Sequence, residues 1–338
     1  MTTIIVLCCL YLLSVAFPPT PKPIDTRALD LNLDLDLNLS VEGFESGPKA
    51  VDQRVDDQCY DEFYAKVYDA LVQPIARAPL EVKVALEWMV GQRGHLKEQL
   101  RVLDLGCGTG LHVELFAQQG VGSVVGVDKS AAMIAEGIKR FPHLGDDFSG
   151  DLAKGGDLAK GDDPDKESKN SLQVGDATDP SIATPGQFDL ITMFYFTIYM
   201  IPDRVQMLKN IFNWLAPGGT FVVHIVNKLK FDAQLESCSP WVAFSPQKYS
   251  EERLTKSEVF FDKFDYTGDF QLHGSRAMYE EIFKFKDGRV RKHEQRLWMP
   301  NIADIVAEIT SVGFSLQPHQ DLTAAGLEYT YLMFFTKP

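Results

Sequence analysis

The chain is 338 residues long, 45% hydrophobic, 11% aromatic and 24% charged, with 33 Lys and Arg against 47 Asp and Glu for a formal charge of −14. The composition excludes collagen-like, wholly disordered and multi-span membrane classes, and the length allows one large or two modest domains. The acidic balance argues against broad nucleic-acid binding, which depends on neutralising phosphates, and five cysteines without a CxxC pair neither frame a disulfide scaffold nor point to a zinc site.

Residues 4–17 form an apolar run without a charged side chain, closed by Pro18 and Pro19, with Ser14, Val15 and Ala16 as the small residues a signal peptidase needs. Residues 1–17 therefore read as a signal peptide or membrane anchor, which puts the chain in the secretory pathway or on a membrane. The alternative is an apolar leader on a cytoplasmic chain, since the run is shorter than the ~20 residues of a comfortable span. Residues 18–48 read as a tether, Pro-rich at first and then alternating Leu with Asp or Asn from Leu29 to Ser40, a low-complexity pattern of poor strand formers. Folding is expected to begin after Pro48, giving one domain over 49–338.

Tyr60, Phe63, Tyr64, Val67, Tyr68 and Leu71 fall at three- and four-residue spacings, so a helix is expected over 56–72 and another over 79–90. From Arg101 strands and helices alternate: strand 102–105, helix 111–118, strand 123–127, helix 131–140, strand 188–193, helix 204–215 and strand 220–226. Such βα units imply an α/β fold with a mostly parallel, doubly wound sheet covered on both faces. Its ligands bind at the carboxyl ends of the strands.

The first strand of that series runs into Asp104-Leu105-Gly106-Cys107-Gly108-Thr109-Gly110. Glycines at alternate positions allow a tight turn and let a ligand lie against main-chain N–H groups at the start of the next helix. Asp128, at the end of the second strand, suits a ribose diol because one carboxylate can accept from both hydroxyls. A dinucleotide fingerprint needs Gly or Ala where this chain has Leu111, which weakens the case for a nicotinamide-dependent oxidoreductase. Asp104 would oppose a pyrophosphate but accompany a cationic methionine moiety.

In order, these segments resemble the class I S-adenosylmethionine-dependent methyltransferases. Val102 to Gly110 matches their first motif and Gly126-Val127-Asp128-Lys129-Ser130 the second, while Gln173-Val174-Gly175-Asp176-Ala177 looks like the third-strand segment that faces the adenine. Phe188 to Ile191 and Leu215 to Thr220 look like the fourth strand and the turn into the fifth, and 314–317 with 329–336 like the closing antiparallel pair. The resemblance implies a Rossmann-like sheet with an antiparallel last strand, S-adenosylmethionine as cofactor, and methyl transfer to an O or N atom of a small molecule. Protein methylation, and a non-catalytic cofactor-binding or membrane-tethered interaction protein, are the rivals. It also implies that Gly106, Gly108 and Gly110 shape the methionine-side turn, Asp104 lies near the ammonium, Asp128 holds the ribose, and Asp176 with Ala177 faces the adenine.

Two stretches depart from that pattern. Residues 146–170 are dominated by Asp, Gly, Lys and Ser and repeat Gly150-Asp151-Leu152-Ala153-Lys154-Gly155 at once as 156–161, so a disordered surface insertion is expected. Residues 228–300 carry alternating runs and an Asp287-Gly288 turn signal, so a β-rich substrate cap is expected after the fifth strand. Lys284, Lys286, Arg289, Arg291, Lys292 and Arg296 make its hairpin basic, either as a solvated ribbon face or as an attraction for an acidic substrate. The Asn/Asp-Pro-Pro-aromatic motif of exocyclic-amine methylation is replaced by Met193-Phe194-Tyr195-Phe196, which speaks against nucleic acid as a partner. Tyr195 is a candidate for an aromatic substrate wall and His224 for a general base. His273 and His293 lack metal-ligand spacing, so no metal is expected. Membrane association is expected only through residues 4–17, and nothing in the sequence sets the oligomeric state.

Overall fold

The computed structural model describes residues 51–74, 77–145, 169–235, 250–323 and 326–338. The leader and tether of 1–48 lie outside these residues, as does all of the 146–170 insertion but its last two positions. Strand β1 (Asp52–Val55) and a 3₁₀ turn over 56–59 precede helix α1 (Glu62–Val72). The helix starts six residues later than its apolar spacing suggests because Asp61 caps it, accepting the Phe63 and Tyr64 N–H groups at 3.1 and 3.2 Å. Tyr60 thus lies before the helix. Helix α2 (Ala78–Glu87) runs into a wide turn over 88–92.

The alternating series then appears as β2 (Arg101–Leu105), α3 (Leu111–Gln118), β3 (Ser123–Asp128), α4 (Ala131–Arg140), β4 (Asn170–Val174), β5 (Phe188–Met193), the short α5 (Thr197–Met200), α6 (Arg204–Trp214) and β6 (Leu215–Val226). The first four strands pair in parallel, as do β5 and β6, and Arg101 ties β2 to β5 through a two-pronged bond to Asp189 at 2.7 and 2.9 Å.

After β6 come β7 (Lys256–Phe260), β8 (Phe264–His273), β9 (Arg276–Phe285), β10 (Val290–Trp298), α7 (Ile302–Ser311), β11 (Ser315–Leu316), β12 (Gln320–Asp321) and β13 (Thr330–Thr336). The central sheet has the order β4-β3-β2-β5-β6-β13-β11, with β12 also on β13, and β13 is antiparallel to β6. The chain winds outward in both directions from β2 and β5, so the crevice at their carboxyl ends is the switch point where a ligand fits.

The second sheet has the order β1-β10-β9-β8-β7. Its four later strands are the antiparallel cap expected from 228–300, but β1, far away in the sequence, completes it as an edge strand parallel to β10 with Asp52 opposite Arg291. The cap packs on α1, where Phe63 meets Phe283 edge-on at 5.1 Å among Val67, Leu71, Phe264 and Tyr266. Most of the basic residues of the hairpin are paired with carboxylates on it or beside it. Arg289 pairs with Asp287 at 2.7 Å, Lys292 with Glu280 at 2.6 Å, Arg291 with Asp61 at 2.6 Å, and Lys286 with Asp265. Among the described residues no helix is long and apolar enough to cross a membrane.

Candidate active site

The loops that follow β2, β3, β4 and β5 converge with the cap on a cavity of about 710 Å³. Its floor is the glycine turn. Gly106 and Gly108 take φ of 70° and 57°, a left-handed region that favours glycine. The Gly106 and Cys107 N–H groups bond Val127 O at 2.8 and 3.1 Å, which hooks the turn onto the end of β3. A side chain on Gly106 would collide with Thr197 of α5, whereas a Cβ on Gly108 would meet only Met133 and Tyr68 at 3.5 and 3.7 Å. Gly110 is not on the cavity wall and faces Leu172 instead.

Asp128 lies on the cavity wall and accepts the Gly108 N–H at 2.9 Å and the Ser130 N–H at 2.8 Å, one on each oxygen. A carboxylate offers about four acceptor sites, so each oxygen keeps one for a ligand. Burial raises its pKa, and those two N–H bonds oppose the rise. Ser130 caps α4 and bonds Tyr60 O at 2.6 Å, joining this loop to the segment before α1.

Asp176 and Ala177 also line the cavity. The Asp176 Oδ1 accepts from the Thr178 N–H and hydroxyl at 2.9 and 2.7 Å, and Lys129 bridges Oδ2 at 3.3 Å to Asp57 at 2.7 Å. Burial would raise this carboxyl's pKa, but the Thr178 bonds and Lys129 together lower it. Asp104 differs. It is buried at the end of β2, off the cavity wall, and accepts from the Thr192 hydroxyl at 2.7 Å. Burial pushes its pKa up to about 6.

The two catalytic candidates separate. Tyr195 lines the cavity with φ of 54°, and the Arg77 guanidinium lies 3.9 Å from its ring centroid. His224, expected as a base at the active edge, is 3% exposed and lies off the cavity wall, where its Nδ1 accepts the Tyr195 N–H at 3.1 Å. Burial pushes its pKa down to about 4, with the Glu81 carboxylate opposing, so the ring is neutral at pH 7. It holds the strained Tyr195 backbone in place and does not itself line the cavity. Glu81 in turn takes His112 Nε2 at 2.7 Å.

These two shifted groups act oppositely on stability. The unfolded chain binds a His224 proton below pH ~6.5 that the folded chain refuses until about 4, so stability is withdrawn as pH falls through that window. The folded chain keeps an Asp104 proton up to about pH 6 that the unfolded chain holds only below ~3.9, so stability is regained over nearly the same window. Asp104→Asn removes the second effect. Urea melts of this variant are expected to lose of order 3 kcal/mol more than the parent between pH 6.5 and 4.

Arg296 of the basic hairpin and several residues that the sequence did not single out complete the wall. Gln295, Arg296 and Trp298 come from β10, Asp56 and Asp57 from the turn after β1, and Met200, Ile201 and Pro202 from the end of α5. The alternation of Arg291, His293 and Gln295 on one face of β10 was the available signal. Together with Leu297 those three are the buried positions of that strand.

Residues 60–267 match the protein family described as "Methyltransferase domain". A dTDP-4-amino-2,3,4,6-tetradeoxy-D-glucose N,N-dimethyltransferase from Saccharopolyspora spinosa is 29% identical over 167 residues, covering 48% of this chain and 55% of its own length. The chain spans about half or less of the length of the curated relatives it matches. Among solved structures, a methyltransferase from Streptomyces caelestis superposes with a TM-score of 0.57 at 16% identity, covering 82% of this chain and 98% of that one. An S-adenosylmethionine-bound amino pentose methyltransferase from Micromonospora echinaspora superposes with a TM-score of 0.51 at 19% identity, covering 80% and 97%. At such identities the structural likeness is one of fold.

Proposed function

Because the chain belongs to the methyltransferase-domain family, in a class I S-adenosylmethionine-dependent fold, we propose that it transfers a methyl group from S-adenosylmethionine to an O or N atom of a small molecule. The observation that carries this reading is Asp128, whose oxygens each keep an acceptor site at the cavity wall while two main-chain N–H groups hold the carboxylate still. That fits a ribose diol. Gly108, bare and open toward Met133, fits the close approach of a ligand to the turn, and Asp176 with Ala177 lines the same cavity beyond Asp128. Leu111, 3% exposed in the first turn of α3, fills the space that a dinucleotide-binding turn keeps for Gly or Ala.

When bound, the cofactor supplies a methyl group on a cationic sulfur, so the protein's part is alignment and exclusion of water. Tyr60, Tyr68, Tyr195, Phe196 and Trp298 supply an aromatic wall for that purpose. The small-molecule acceptors named for the relatives support the substrate class. Calorimetric titration should show binding of S-adenosylmethionine and S-adenosylhomocysteine but not of NAD. Binding of NAD alone would overturn the proposal.

A further inference from the structure

The hydrogen bonds behind one wall of the cavity converge on one carboxylate, and each has a fixed direction. Asp61 accepts from Arg291 Nη2 at 2.6 Å. Arg291 can only donate, so its 2.7 Å bond from Nε makes His293 Nε2 the acceptor and puts the ring proton on Nδ1, which faces Glu281 Oε2 at 3.3 Å. Glu281 is 0% exposed, and the Tyr64 hydroxyl, the Tyr266 hydroxyl and Gln295 Nε2 converge on its oxygens at 2.9, 2.8 and 2.9 Å. A carboxylate only accepts, so Gln295 must turn its NH₂ toward Glu281 and its carbonyl oxygen away. That oxygen also only accepts, so the Tyr60 hydroxyl, 2.8 Å away, must donate to it. Tyr60 and Gln295 both line the cavity. With its one proton committed, Tyr60 presents the cavity with an oxygen that can only accept.

The rest of the wall narrows what can bind there. Arg296 bonds Asp56, and Lys129 bridges Asp57 and Asp176, so an anionic acceptor meets cations that are already paired. No histidine lines the cavity among the described residues; of its carboxylates, Asp128 holds two main-chain N–H groups, Asp56 pairs with Arg296, Asp57 and Asp176 pair with Lys129, and Asp203 accepts the Gln206 N–H on one oxygen. An alcohol needs a base to become a strong nucleophile, whereas a neutral amine does not.

Resting on the methyl-transfer reading, we propose that the methyl acceptor is an amine whose N–H is received by the Tyr60 oxygen, with Gln295 and Glu281 as positioning residues that fix the polarity of that oxygen. The nitrogen lone pair forms the new N–C bond as the C–S bond breaks. The bonding pair returns to sulfur, which becomes a thioether, and the surplus proton on nitrogen leaves to water.

The test uses the full chain saturated with S-adenosylhomocysteine, titrated near the pKa of benzylamine with benzylamine, benzyl alcohol and benzoate under ligand-observed NMR. Benzylamine is expected to bind at least tenfold tighter than benzoate and several-fold tighter than the alcohol. In Tyr60→Phe, and in Glu281→Gln, whose carboxamide can donate and so release the direction of the network, the amine-to-benzoate ratio should fall below threefold while S-adenosylhomocysteine still binds. Equal binding of the three probes, no binding of benzylamine, or an unchanged ratio in Tyr60→Phe overturns the amine assignment. If S-adenosylhomocysteine itself does not bind, the methyl-transfer reading falls, and the amine assignment with it.

Discussion

Asp128→Ala is expected to weaken S-adenosylmethionine binding by about 1.5–3 kcal/mol, or about 10- to 150-fold in Kd by calorimetry, the range for hydrogen bonds to a charged group. The substitution removes the acceptor offered to a ribose diol and also the two bonds that hold Gly108 and Ser130. Asp128→Asn does not repair the loss. An amide has one accepting oxygen, so its NH₂ would face one of those two N–H donors, and the affinity should fall nearly as far. Unchanged affinity in the alanine variant would place the ribose elsewhere.

Gly106→Ala should be at least as damaging. At φ of 70° an L-residue is strained by about 1–2 kcal/mol, and the new Cβ would sit 2.4 Å from Thr197 Cγ2 and 2.7 Å from its hydroxyl. Cofactor affinity is expected to drop more than tenfold and the melting temperature by several degrees. Adding Thr197→Ala removes both offending atoms and leaves a Cβ at 3.1 Å, so the double variant should recover the part of the loss due to collision but not the part due to φ. A double variant as poor as Gly106→Ala alone would mean that the collision is not the cause.

The cofactor half of this site was legible because its parts are local. A strand, three spaced glycines, a helix and an acidic residue at the next strand end lie close together in the chain, and each element's period can be read directly. The acceptor half was not. Gln295 and Glu281 sit on the buried face of a cap sheet whose inward positions on β10 begin with Arg291 and His293, and polar residues there invert the usual alternation. Their satisfaction depends on Asp61, Tyr60 and Tyr64, more than two hundred positions away. His224 shows a different limit. Its place near the end of β6 was read correctly, but no residue of that strand lines the cavity, and the ring sits behind Tyr195, whose N–H it accepts. The four residues of β1 were missed because Asp52, Gln53 and Arg54 carry no apolar alternation.

The union of β1 with β10 has a consequence for how this chain can vary in length. Asp56 and Arg296 face each other on the cavity wall although 240 positions separate them. The entropy of closing so long a loop grows only with the logarithm of its length, by about 0.6 kcal/mol per doubling, so the closure costs only about 2 kcal/mol more than one eight times shorter. Extra residues between β3 and β4, such as the duplicated stretch of 150–161, therefore lengthen the circuit at almost no cost to the wall it closes.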